Sequence, residues 1–436
     1  MGIFEKNKNE ILLNAVQSKN LCKIKNIIEN ENYKNIDLYW KNNNGDDSLT
    51  TACWNEDINV VKLFINFANK NNIILDLNYK DKNKYNVFFI ACTVSFEMMK
   101  LFLEYANEHN ILINLNETNY LGNYPLLLTC NKYNIKHTKL IFEYAIKNDI
   151  ILEINRKNND GNYPLLAACQ NNDIETSRFL VEYANKNNII LQINEKNNEK
   201  EYPLSLACRN NNIEIERLLI EYANKNDIML NLHDKYKFGW NIFLNAVFNK
   251  NQEIIELLIR HANLNNIIIN LNQQDNNEEY ALLWACLENK IDIVKLLINY
   301  ANDNNIIMDL NRKNCYGWYP LLWGIYHNNI EIVKLLIEYA NKNNILLTLN
   351  EKNEYGQYPL LLSVNNMDIK MIELLIKYAI NKKMILEFYE KDLQKIIEIS
   401  DEQIELLIKY ENNINIIYVH ESILLKRKNH IKNMIK

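Results

Sequence analysis

All five prolines of the 436-residue chain fall in one pattern, which recurs in register with a 39-residue period. It reads Tyr124-Pro125-Leu126-Leu127, Tyr163-Pro164-Leu165-Leu166, Tyr202-Pro203-Leu204-Ser205, Tyr319-Pro320-Leu321-Leu322 and Tyr358-Pro359-Leu360-Leu361. Asn241-Ile242-Phe243 and Tyr280-Ala281-Leu282 stand in step where the motif is missing. A fixed period of roughly 20–50 residues marks a solenoid, because one such unit cannot bury its apolar face alone and must stack on its neighbours.

The unit from Asn311 to Asn350 shows the local logic. Gly317 sits in a polar stretch, as do Gly45, Gly122, Gly161, Gly239 and Gly356 at the same repeat position, which predicts a turn with positive φ. Pro320 suits the first turn of a helix, where its missing N–H costs nothing. The spacing predicts a short apolar helix from Pro320 to Tyr326, then a turn at His327-Asn328-Asn329, where asparagine tolerates the left-handed conformation. A second helix follows from Ile330, with Ile332, Val333, Leu336 and Ala340 in one stripe that Leu335 and Ile337 widen. Asn343-Asn344 ends it, and Ile345, Leu347 and Leu349 alternate along an extended link.

The order Gly-x-Tyr-Pro-Leu, an Ala/Cys position, a turn and Ile330-Glu331-Ile332-Val333-Lys334-Leu335-Leu336 resembles the ankyrin repeat over roughly residues 40–385. The resemblance implies an all-α solenoid of stacked helix-turn-helix units with projecting β-turn or hairpin fingers. Three departures stand out. Tyrosine replaces the family's threonine and Leu or Ser its histidine, which removes the hydroxyl cap of the first helix. Asn172, Asn211, Asn289 and Asn328 occupy the turn where the family has glycine. The repeat is about six residues longer than the usual ~33, so a longer second helix and an extra apolar layer are expected.

Nine units align on Cys53, Cys92, Cys130, Cys169, Cys208, Val247, Cys286, Ile325 and Val364, spaced by 39 residues except for 38 between Cys92 and Cys130. Residues 1–40 read as an N-terminal helical cap, 41–385 as the nine repeats, and 386–436 as a degenerate repeat with a C-terminal helical cap. In the last segment, Leu393 to Ile399 reads as a short helix, Ser400 and Gln403 have capping-box spacing, and Lys426-Arg427-Lys428 reads as a solvated face or a nuclear signal. The aligned cysteines alternate with Val and Ile, so they read as small buried hydrophobes. Stacked helices lie about 8–10 Å apart, and a disulfide needs Cα atoms within about 7 Å. The thiols are therefore expected to be reduced, in a cytoplasmic or nuclear compartment.

A net charge of −5 lacks the basic footprint of a nucleic-acid protein, and no apolar run is long enough for a membrane span. The heavy use of asparagine reads as base-composition bias rather than a selected role. No phosphate loop, metal-spaced Cys/His set or catalytic motif is present in the sequence, and Cys315 with His327 makes only two ligands of the usual four. No cofactor, no metal site and no enzymatic activity are expected, and the chain is expected to be monomeric.

In the resembled family, partners bind the finger tips and the exposed side of the first helix. Most such positions here are polar, but two units offer Tyr236, Phe238, Trp240 and Phe248, and Tyr316, Trp318, Tyr326 and His327. Aromatics of this kind are enriched at binding hot spots. Trp284 and Trp323 occupy a leucine position of the motif and read as core, and Asn245, in the same place, needs partners if buried. The expected function is a non-catalytic scaffold binding proteins through its concave face and finger tips. The alternative is a substrate-recruiting adaptor of a multi-protein enzyme such as a ubiquitin ligase.

Overall fold

The computed structural model describes residues 3–30, 35–81, 84–132, 135–235, 239–388, 400–410 and 414–415. They form two compact units, Met1–Ile228 and Met229–Lys436. In the first, α1 (Ile3–Gln17) and α2 (Leu21–Glu29) precede five helix pairs. These are α3 (Ser48–Trp54) with α4 (Ile58–Lys70), α5 (Val87–Val94) with α6 (Phe96–Glu108), α7 (Pro125–Cys130) with α8 (Ile135–Lys147), α9 (Pro164–Gln170) with α10 (Ile174–Lys186), and α11 (Pro203–Arg209) with α12 (Ile213–Lys225). The second unit holds α13 (Ile242–Phe248) with α14 (Gln252–Leu264), α15 (Ala281–Leu287) with α16 (Ile291–Asp303), α17 (Pro320–Tyr326) with α18 (Ile330–Lys342), and α19 (Pro359–Asn365) with α20 (Ile369–Asn381). Then come β1 (Leu386–Glu387), α21 (Asp401–Lys409) and β2 (Ile414–Asn415), the two strands forming a short parallel pair. Within each unit, short helices stack on short helices and long on long.

The local signals act as the residue chemistry requires. Asn172, Asn211, Asn289 and Asn328 adopt φ of 59°, 52°, 54° and 52° between the paired helices. The motif tyrosine does not cap its helix through its side chain, although in α11 Ser205 Oγ accepts from Tyr202 N, whereas Asp47, Asn86 and Asn241, which replace that tyrosine, cap theirs. Ser400 and Gln403 cap reciprocally, through Gln403 N to Ser400 Oγ and Ser400 N to Gln403 Oε1. The predicted helix over 393–399 and Lys426-Arg427-Lys428 lie outside the described residues.

The second helix ends at its asparagine stop rather than running on, for α18 closes at Lys342 and Asn344 turns left-handed. The extra residues form the extended link instead, which buries Leu347 and Leu349 and leaves Leu346 exposed. The described fingers are turns closed by an asparagine or aspartate side chain. Asn314 Oδ1 accepts from Tyr316 N and Trp318 N, and Gly317 N donates to Asn314 O. Gly317 is required twice over: its φ is +77°, and a Cβ there would lie 2.8 Å from Asn353 Cα in the next finger.

Within each unit, two sets of tyrosines tie neighbouring repeats together. The motif tyrosine is buried and its hydroxyl donates forward, as from Tyr163 to the Gln192 and Glu195 carbonyls at 2.7 and 2.9 Å. The tyrosine of the second helix reaches back. Tyr339 Oη accepts from Met308 N at 3.2 Å and donates to Ile306 O at 2.7 Å. In α14 this tyrosine is replaced by buried His261, whose Nε2 accepts from Leu230 N, a role that needs a neutral ring and matches the lowering of its pKa by burial.

Asparagine also has a structural role here, contrary to the compositional reading. Asn311 Nδ2 donates to Leu346 O while its Oδ1 accepts from Thr348 N, in the manner of a strand partner. Asn116, Asn272 and Asn350 repeat this two-way contact one unit on.

The six aligned cysteines are buried, and Cys22 and Cys315 are exposed. Thiol labelling of native protein is therefore expected to modify two cysteines rapidly and six only after unfolding. A fast third thiol would mean that the repeat-position cysteines are not enclosed by the stack.

Candidate interaction surface

On each short helix the residue just after the Cys position is exposed or half-buried, and the residue two before it is half-buried in some repeats and buried in others. The residue that leaves the finger, immediately before the motif tyrosine, joins them. In the second unit these positions carry two aromatic clusters.

The first cluster joins Trp240, Phe248 and Trp284, with centroids 4.6 Å (Trp240–Phe248), 4.8 Å (Phe248–Trp284) and 6.2 Å (Trp240–Trp284) apart, all tilted or edge-on. The second joins Trp318, Trp323, Tyr326 and His327. Trp318 and Trp323 stack at 3.8 Å and 13°, and Tyr326 stands edge-on to both. His327 Nε2 lies 2.6 Å from the Leu287 carbonyl, which can only accept, so that nitrogen carries the proton.

The eight residues expected from sequence therefore divide. Tyr316 and Tyr326 are exposed, at 51% and 48%. Trp240, Phe248 and His327 are half-buried within the clusters. Trp318 is only 6% exposed, which corrects its reading as a free finger aromatic: stacking on Trp323 removes its face from water. Tyr236 and Phe238 lie outside the described residues. Trp284 and Trp323 need the opposite correction. They are half-buried rather than core, packed against the other aromatic rings of their clusters. Their indole N–H groups are buried and have no acceptor among the described residues. Asn245, two residues before Val247, is buried and accepts from Asn249 Nδ2 at 2.8 Å.

A third aromatic group, in the first unit, was not foreseen. Trp54 meets Tyr85 edge-on at 5.4 Å, and Tyr85 meets Tyr120 at 6.1 Å. Trp54 follows the Cys position just as Phe248 and Tyr326 do, so the alignment held the signal.

Two acidic residues share this surface in the second unit. Glu279, which leaves its finger immediately before Tyr280, accepts from Asn314 Nδ2 at 2.7 Å through Oε1. Asp275 Oδ1 accepts from Asn277 N and Glu279 N. Burial, opposed by the Asn314 donation and assisted by the charge of Asp275, pushes the Glu279 carboxyl up to about 7. Among the described residues no group of three or more His, Cys, Asp or Glu could hold a metal ion, and no helix is long and apolar enough to cross a membrane.

Residues 188–268 and 261–346 match the family model described as ankyrin repeats (3 copies). No curated protein sequence matches the chain. Among solved structures it is similar to an ankyrin repeat domain from Acinetobacter baumannii AYE, with 21% identity over 50% of this chain and 98% of that one and a TM-score of 0.39. It is also similar to the ankyrin repeat domain of Bcl-3, described as a member of the IkappaB protein family, with 18% identity over 57% and 97% of the two chains and a TM-score of 0.40.

Proposed function

Since the chain is an ankyrin-repeat protein, we propose that it is a non-catalytic module that holds a partner protein on the aromatic side of its short helices in the C-terminal unit. Ankyrin repeats are generally protein-binding modules and typically non-catalytic. The observation that carries the finer reading is the presentation of Tyr316 and Tyr326 to solvent beside the Trp318–Trp323 stack. Rigid aromatics bury much area at little entropic cost, which is what a binding hot spot needs.

The test is a Tyr316→Ala, Tyr326→Ala double variant. Both rings are exposed, so the unfolding midpoint should hardly move. Affinity for the protein that co-purifies from native cells should fall about 30-fold, the equivalent of ~2 kcal/mol at a hot spot. Unchanged affinity would remove this surface as the binding site. A variant at Trp318 is less informative, because its buried stack couples binding to stability.

A further inference from the structure

Repeat 5 and repeat 7 carry the same carboxylate in different company. Glu201 and Glu279 both stand immediately before the motif tyrosine, and both are enclosed, at 3% and 5% exposure. In repeat 5 the cation comes from the same repeat: Arg209, eight residues on and just after the Cys position, forms an ion pair with Glu201 Oε1 through its guanidinium. In repeat 7 the residue eight on from Glu279 is Leu287, which supplies no charge. Glu279 Oε1 is used by Asn314, but Oε2 is buried without a hydrogen-bond partner, and no described cation pairs with it. Leaving a carboxylate oxygen enclosed and unmatched is costly, and the neighbouring Asp275, whose Oδ2 is also unpartnered, adds negative charge rather than relief.

The repeat alignment sets tryptophans beside the position: the residue equivalent to Glu279 is Trp240 in one flanking repeat and Trp318 in the other, and Trp284 lies on the helix that Glu279 precedes. A planar cation gains from aromatic faces as well as from a carboxylate fork, a combination that favours arginine over lysine.

Building on the proposed protein-binding role of this surface, we propose that Glu279 is the seat of an arginine side chain supplied by the partner, standing where Arg209 stands against Glu201. Repeat 5 closes this site from within the chain, and repeat 7 leaves it to the guest.

The test uses N-acetyl-arginine amide as probe and N-acetyl-citrulline amide as its neutral isostere, titrated at pH 8 against tryptophan fluorescence of the full chain. The arginine probe should bind at least tenfold more tightly than the citrulline one. Glu279→Gln should abolish the difference. Leu287→Arg should also abolish it, by filling the seat from within as in repeat 5, and should raise the thermal midpoint at pH 8. This last readout needs no ligand, and a Leu287→Met control separates it from loss of the leucine. Equal binding of both probes, full arginine binding by Glu279→Gln, or a Leu287→Arg variant no more stable than Leu287→Met would each overturn the proposal. If Tyr316→Ala, Tyr326→Ala loses the protein partner while Glu279→Gln keeps it, the arginine seat falls and the aromatic surface stands. If Glu279→Gln loses the partner while Tyr316→Ala, Tyr326→Ala keeps it, the aromatic surface falls and the seat stands.

Discussion

Replacing Glu216 with valine is expected to stabilise the protein by about 4 kcal/mol at pH 9 and by far less at pH 5, from a free-energy equivalent of roughly 1.4 kcal/mol per pKa unit. Glu216 is buried in α12, at a position where five other repeats carry Val61, Ile255, Val294, Val333 and Ile372 and the remaining three carry Met99, Thr138 and Ser177. Its Oε2 accepts from the Cys208 thiol at 3.2 Å. Desolvation dominates and lifts the carboxyl from the ordinary 4.5 to about 8, against the lowering effect of the thiol. The sign follows from proton counting. Between these two values the folded chain holds a proton that the unfolded chain has released. Stability is therefore full below pH 4.5 and falls as pH rises through about 8. Glu279 adds a smaller loss of the same sign, ending near pH 7. Urea midpoints at pH 5, 7 and 9 check this. Parallel pH profiles for wild type and Glu216→Val would show that Glu216 is not enclosed as a neutral acid.

The second large effect concerns the motif tyrosine. Tyr163→Ala is expected to cost about 4 kcal/mol, since it empties a fully buried aromatic site. Tyr163→Phe keeps the ring and removes only the hydroxyl that joins the Gln192 and Glu195 carbonyls, so it should cost about 1–2 kcal/mol. Denaturant midpoints of the pair separate packing from cross-repeat hydrogen bonding. Equal losses for both variants would assign the whole effect to the hydroxyl, and no loss for Phe would remove the bracing role.

The same tyrosine shows where reading the chain stops. Its absence as a cap was legible, because capping involves a residue and its neighbours two or three positions on. Its actual use was not, because the accepting carbonyls lie 29 and 32 residues away in the next repeat. The case of asparagine is similar. Asn328 in a left-handed turn follows from local sterics. Asn311 holding the next link at Leu346 and Thr348 depends on how repeats stack. His261 could have been found, since His261-Ala262 stands where other units have Tyr-Ala, but its acceptor role needed the Leu230 amide in place.

By itself the sequence determined the repeat, the helix pairs, the turn residues and the burial of the aligned cysteines. All of these rest on short-range sterics and on a periodicity that identifies the shared apolar face. Only the tertiary structure decided which aromatics meet water. Trp318 and Trp323 sit five residues apart on a finger and a helix, and whether they stack or splay is set by packing, not by local pattern. It likewise decided that Glu201 is matched by Arg209 and Glu279 by no cation among the described residues, because an ion pair exists only where side chains converge in three dimensions, and the cost of lacking one appears only once water is excluded.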